Sequence, residues 1–225
     1  QTSEFDVYAD QYEANKHYFL AHYFKDQYDK SLAELPFINS QVNITKIEVW
    51  VTNKTGTTTD TRNIVSFLDL GETASNISNA FSVSNGSNFP DNESNNLFNL
   101  LTTIYAGIRD VNEVNNILQS TPLVNGTDFE KLEKARKLSP SEFSFNSQLG
   151  YISLNQALNN DEVLAVAFEY SIGNKIYQVG EFSTSGPTAP DALILKLLKG
   201  TTFTPFLPNW DLMMKNIYAI GAYQM

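Results

Sequence analysis

The sequence predicts an α+β fold: antiparallel sheets packed with several helices in a single compact domain, 1–225, carrying one long Asn/Ser-rich loop. Three observations predict it. The stretch at 42–53 alternates in side-chain character with a β-branched bias, as half-buried strands do, and 163–170 and 175–183 flank a Gly-Asn turn as the arms of a hairpin. Stretches at 6–35 and 97–118 repeat apolar residues every three or four positions, as amphipathic helices do. The two kinds do not follow a regular βαβ rhythm, which disfavours a doubly wound parallel sheet.

In chain order, Tyr8, Tyr12, Phe19, Tyr23, Phe24, Tyr28, Leu32 and Leu35 predict one long helix over 6–35, stopped by Pro36. Over 42–53, Val42, Ile44, Lys46, Glu48 and Trp50 share one strand face, and Thr45, Ile47, Val49 and Val51 the other. A turn at 54–60 then leads to a partner strand over 63–70, expected to run antiparallel to it. Residues 71–96 hold almost nothing apolar beyond Phe81 and Phe89, so a mobile surface loop is expected there. Leu97, Leu101, Ile104, Tyr105 and Ile108 predict a helix, and Val111, Val114, Ile117 and Leu118 a short second one. Thr127 and Glu130 have capping-box spacing, and Glu130/Lys134 and Glu133/Lys137 lie four apart, so 131–138 is expected to be helical up to Pro140. Residues 143–154 read as a strand region, and Gly173-Asn174 as the turn of a hairpin. The run 191–198 suits a buried strand or a short helix, and a last helix is expected from Asn209 or Asp211 through Ile220.

Composition narrows the function classes. With 15 Phe, 11 Tyr and 2 Trp the chain has ample surface to bury, so it is not a disordered sequence. The absence of cysteine excludes a disulfide scaffold, a Cys-based zinc site and a thiol nucleophile. A formal charge of −10 opposes nucleic-acid binding, which needs cationic neutralisation of phosphates. No run approaches the ~18 apolar residues of a membrane-spanning helix. The chain opens Gln1-Thr2-Ser3-Glu4 without Met, as expected of a mature product or a piece of something larger. Six Asn-X-Ser/Thr sequons occur, against roughly four expected by chance, so they do not mark a glycoprotein.

No catalytic constellation emerges, and no cofactor is expected. His17 and His22, five apart on the predicted helix, would point about 140° from each other and not at one metal. Nucleophile-elbow, phosphate-loop, dinucleotide-loop and zinc-protease motifs are all missing. Only carboxylates distant in sequence, meeting in a hydrolase cleft, would make an enzyme of it. Phe206, Leu207, Trp210, Met213 and Met214, clustered among prolines, form a candidate interface, since Trp and Met are favoured at contact surfaces. A cell-surface adhesin or glycan-binding module, with Trp50, Tyr and Asn lining a groove, is the alternative class.

Several blocks resemble one family. Residues 35–53 (LPFINSQVNITKIEVWVTN), Arg62-Asn63-Ile64-Val65 leading to Asp69-Leu70-Gly71-Glu72, 135–142 running through 146–155, and Lys196-Leu197-Leu198-Lys199-Gly200 followed by 210–216 look like signatures of the SprA/Sov family, in the same order. The resemblance covers nearly the whole chain except 73–95. It implies part of a giant outer-membrane β-barrel, the translocon of the Bacteroidetes type IX secretion system, needed for gliding motility. Implied partners are the rest of that barrel, a PorV-type barrel, a plug protein and secreted cargo. The family supplies no catalytic residues to carry over. The chain is about a tenth of a family member's length and lacks serial membrane strands. It is therefore expected to be a non-catalytic extramembrane portion, on the cell surface or periplasmic face, acting as cap, gate or docking surface.

Overall fold

The computed structural model describes residues 7–77 and 88–219. Its strands are β1 (His17–Phe19), β2 (Val42–Val51), β3 (Thr61–Phe67), β4 (Phe129–Lys137), β5 (Phe143–Asn146), β6 (Tyr151–Leu154), β7 (Leu164–Ile172), β8 (Lys175–Val179) and β9 (Leu193–Lys199). Its α-helices are α1 (His22–Ser31), α2 (Leu97–Thr103) and α3 (Val114–Leu118). Hydrogen bonding runs β2-β4-β3-β9-β7 and returns from β7 to β2, closing a five-stranded ring. Strand β8 extends β7 beyond the reach of β9, and β1-β6-β5 form a small separate sheet.

This corrects the α+β expectation. The described residues are 31% strand against 18% helix, and the sheet is a closed barrel, so the helices cover a β structure instead of sharing the architecture with it. The barrel is small enough to be filled by side chains. Trp50, Ile64, Ala135, Ala165, Ala167, Leu193 and Leu195, drawn from all five ring strands, pack with Phe182 in its interior. Trp50 is the largest side chain buried there, and it pairs directly with Ala165 across the β2–β7 ladder. Small residues beside a large one let a narrow barrel close without overpacking. Val65, Phe67, Val166, Phe168, Ile194 and Leu198 belong to a second core outside the barrel, roofed by α1, α2, α3 and the small sheet.

Four elements depart from expectation for identifiable reasons. The predicted helix over 6–35 survives only as α1, because Tyr18, Phe19, Leu20 and Ala21 are buried in succession. Four consecutive positions go most of the way round a helix, whereas an extended segment between two layers buries both its faces. β1 pairs with β6, placing His17 opposite Ser153. The partner of β2 is not β3: β2 pairs with β7 and β4, while β3 lies antiparallel to β4 and parallel to β9. The predicted helix at 131–138 is strand β4, whose register against β3 shifts between Arg62 and Ile64. Lys134 sits there at φ +50°, and its amide donates to Asn63 Oδ1. The last helix is only a 3₁₀ turn, Pro208–Leu212, and the predicted end at Ile220 lies outside the described residues.

Of the predicted loop 71–96, residues 78–87 lie outside the description. Both of its flanks are anchored: Glu72, Ser94 and Asn95 are buried. Gly71 at φ +71° makes the turn into it, and a Cβ there would stand 2.6 Å from a methyl of Val179, so only glycine fits. Residues near the two ends of the description run side by side and antiparallel. Tyr12 bridges Tyr218, Tyr18 bridges Met213, and the Glu13 amide donates to the Ile217 carbonyl at 2.9 Å.

Candidate functional site

Segments far apart in the chain converge on a buried charged centre outside the barrel. The turn after β3 brings Glu72, β9 brings Lys196, and the start of α1 brings His22. Glu72 is 1% exposed. Its Oε1 accepts from Lys196 Nζ at 2.8 Å and from His22 Nδ1 at 2.9 Å. His22 Nε2 reaches the Pro208 carbonyl at 2.9 Å. Both ring nitrogens thus face oxygens, so the ring is held at both ends. Lys196 Nζ also donates to the Leu68 carbonyl, and Asn95 Nδ2 to the carbonyls of Asp69 and Glu72 at 2.7 and 3.0 Å. Burial alone would raise the Glu72 carboxyl, but the Lys196 charge and the His22 hydrogen bond hold it down to about 2. A carboxylate sealed this way reaches no substrate. It ties α1, β9, the 69–72 turn and the 208–212 turn into one body.

Stability should therefore fall with acid in a defined window. A carboxyl of pKa 4.5 when free and about 2 when folded contributes fully above pH 4.5, and its contribution disappears as pH drops through about 2. The loss expected from Glu72 is about 3 kcal/mol. Thermal midpoints from circular dichroism should be level above pH 5 and decline below it, less steeply in Glu72→Gln. A level profile down to pH 2.5 would contradict this.

The barrel mouths are closed by further buried charges. At one end Glu48 accepts from Lys137 Nζ at 2.7 Å and from the Ser183 amide at 2.9 Å. Burial opposes ionisation of Glu48, yet these donors hold its carboxyl below the usual range. At the other end Lys199 Nζ donates to the Asn160 and Glu162 carbonyls at 2.9 and 2.6 Å, and burial pushes its ammonium pKa down. Among the described residues, no three His, Asp or Glu side chains gather as a metal site requires.

The candidate interface residues are divided by the fold. Phe206 is 96% exposed, whereas Met213 and Met214 are 6% and 7% exposed and belong to the core. Leu207 and Trp210 are half-buried. Trp210 packs on Phe203 with ring centroids 5.0 Å apart and lines an open groove of about 600 Å³ with Tyr12, Met213 and Lys215. The two histidines share no helix: His17 is on β1 and pairs with Glu13, while His22 opens α1. Trp50, assigned to a glycan groove in the alternative class, is 1% exposed inside the barrel, which removes it from any surface site.

Sequence reasoning missed the Glu72–Lys196 pair, although a signal was present. Lys196 interrupts the apolar run Leu193–Leu198, and a lysine inside a fully buried strand requires a buried acid.

No helix among the described residues is long and apolar enough to cross a membrane. No curated protein matches the chain. The family model SprA_N, described as motility related/secretion protein, matches residues 1–178. That span ends within β8 and leaves β9 outside it.

Proposed function

The chain belongs to the SprA family of motility-related and secretion proteins, and from that premise we propose that it is a non-catalytic extramembrane portion of a type IX outer-membrane translocon, serving as a cap, gate or docking surface for protein export. The observation that carries this reading is the family match joined to a body whose buried charges are turned inward as ties. Steric work needs rigidity, and charged clasps sealed from solvent provide it. Phe206, Leu207 and Trp210 remain accessible for contact with the surrounding barrel, a PorV-type barrel, a plug protein or passing cargo. Met213 and Met214 hold that surface from below.

The test is deletion of this segment from the full-length protein in its native cell. Loss of secretion, or leakage of a normally excluded dye, is expected. Normal export with an intact permeability barrier would overturn the proposal.

A further inference from the structure

An uncharged pocket lies away from the residues discussed so far. It has a volume of about 220 Å³ and sits between one face of α1, the segment leading into β2 and the β5–β6 turn. Tyr23, Gln27 and Ser31, four apart along α1, supply one wall, and Asn39, Gln41 and Gln148 face them among the lining residues. Tyr28 and Phe89 add aromatic rings. Among the described residues, not one Asp, Glu, Lys, Arg or His lines it, in a chain whose formal charge is −10.

Two features point to a ligand class. The side-chain amides of Gln27, Asn39, Gln41 and Gln148 make no hydrogen bond among the described residues, so their donors and acceptors are uncommitted. The rings around them are braced: Tyr23 is edge-on to Phe24 and Phe89 at 5.4 and 5.5 Å, and Phe19 to Tyr28 at 5.3 Å. Amides that donate and accept side by side match neighbouring hydroxyls, each of which also does both. Fixed aromatic rings suit the apolar face of a pyranose ring. An ionic ligand would find no counter-charge and would lose hydration without return. The volume falls below the ~300–1,000 Å³ of drug-sized sites, which favours one ring over a long chain.

From this geometry we infer that the pocket bounded by Gln27, Asn39, Gln41 and Gln148 binds a single neutral sugar residue, such as the end of a surface glycan. The inference does not rest on the secretion reading and can fail independently of it.

The experiment is ligand-observed NMR on the whole chain with methyl glycosides of neutral hexoses and N-acetylhexosamines. Saturable binding at millimolar concentration or tighter is expected for at least one of them. Gln27→Ala and Gln148→Ala, both on solvent-reachable side chains, should weaken it tenfold or more with unchanged melting temperature. Glu34→Gln, an exposed substitution outside the pocket, should leave it unaltered. No saturable binding by any glycoside, binding indifferent to Gln27→Ala and Gln148→Ala, or preference for a glutamine-rich peptide over every sugar would each overturn the inference.

Discussion

A chain ending at Gln178 should show no cooperative unfolding transition. The family match stops at that position, which makes it a natural boundary to choose for a shortened protein. The fold does not permit it. β9 lies between β3 and β7, so its loss opens the ring and leaves two strands with unpaired edges in the middle of the structure. All seven residues of β9 are buried. Removing its three leucines inside the barrel and Ile194 and Leu198 outside forfeits on the order of 10 kcal/mol of burial. A whole domain has only about 5–15 kcal/mol to lose. The cut also removes Trp210, so Trp50 becomes the sole tryptophan and reports on the barrel interior. Its emission should sit at the solvent-exposed wavelength, and urea should produce a gradual drift. A sigmoidal transition with buried-type emission would show that the ring closes without β9.

The second large effect is expected from Lys196→Met. The substitution keeps volume and apolar packing but leaves Glu72 ionised, buried and without its cation. Breaking a buried pair from one side typically costs about 3–5 kcal/mol. Adding Glu72→Gln removes the orphaned charge while keeping an oxygen toward His22, so the double variant should recover most of the loss. Urea midpoints of the wild type, the two single variants and the double variant measure this. A Lys196→Met cost below 1 kcal/mol, or losses that simply add in the double variant, would mean that the pair is not coupled as its 2.8 Å contact implies.

How much was legible in the sequence depends on whether a segment's pairing partner is local. The β7–β8 hairpin turns at Gly173-Asn174, as its neighbouring residues specify. β2 is a strand as its β-branched run specifies, but a register shift between Ile44 and Lys46 splits the predicted face: Val42 and Ile44 pack in the outer core with Val49 and Val51, apart from Trp50 in the barrel. The helix expected at 131–138 rested on the capping-box spacing of Thr127 and Glu130 and on charge pairs four apart, a local pattern that strand β4 also carries, and its bulge adds to the disguise. Leu132 and Ala135 sit three apart, yet both pack with the barrel-interior residues, since the strand carries an extra residue between them. A bulge thus turns a period of two into an apparent period of three and imitates a helix. The closure of β7 onto β2 could not be read at all, because it joins residues more than a hundred positions apart.

The candidate interface was misjudged for a related reason. Composition distinguishes apolar from polar residues but not inside from outside. Met213 and Met214 enter the core through the bridge from Met213 to Tyr18, while Phe206, of similar hydropathy, is left exposed. The charged clasp at Glu72 draws on three distant segments, and only Lys196, conspicuous in its apolar strand, announced any part of it.

The antiparallel lacing of residues 11–18 to 213–219 has a mechanical corollary. Its hydrogen bonds lie across the direction of the two strands. Tension drawn outward through Gln11 and Ala219 would load them one after another, as a zipper opens, instead of all together. That corner can peel apart under modest force while the closed ring behind it stays whole.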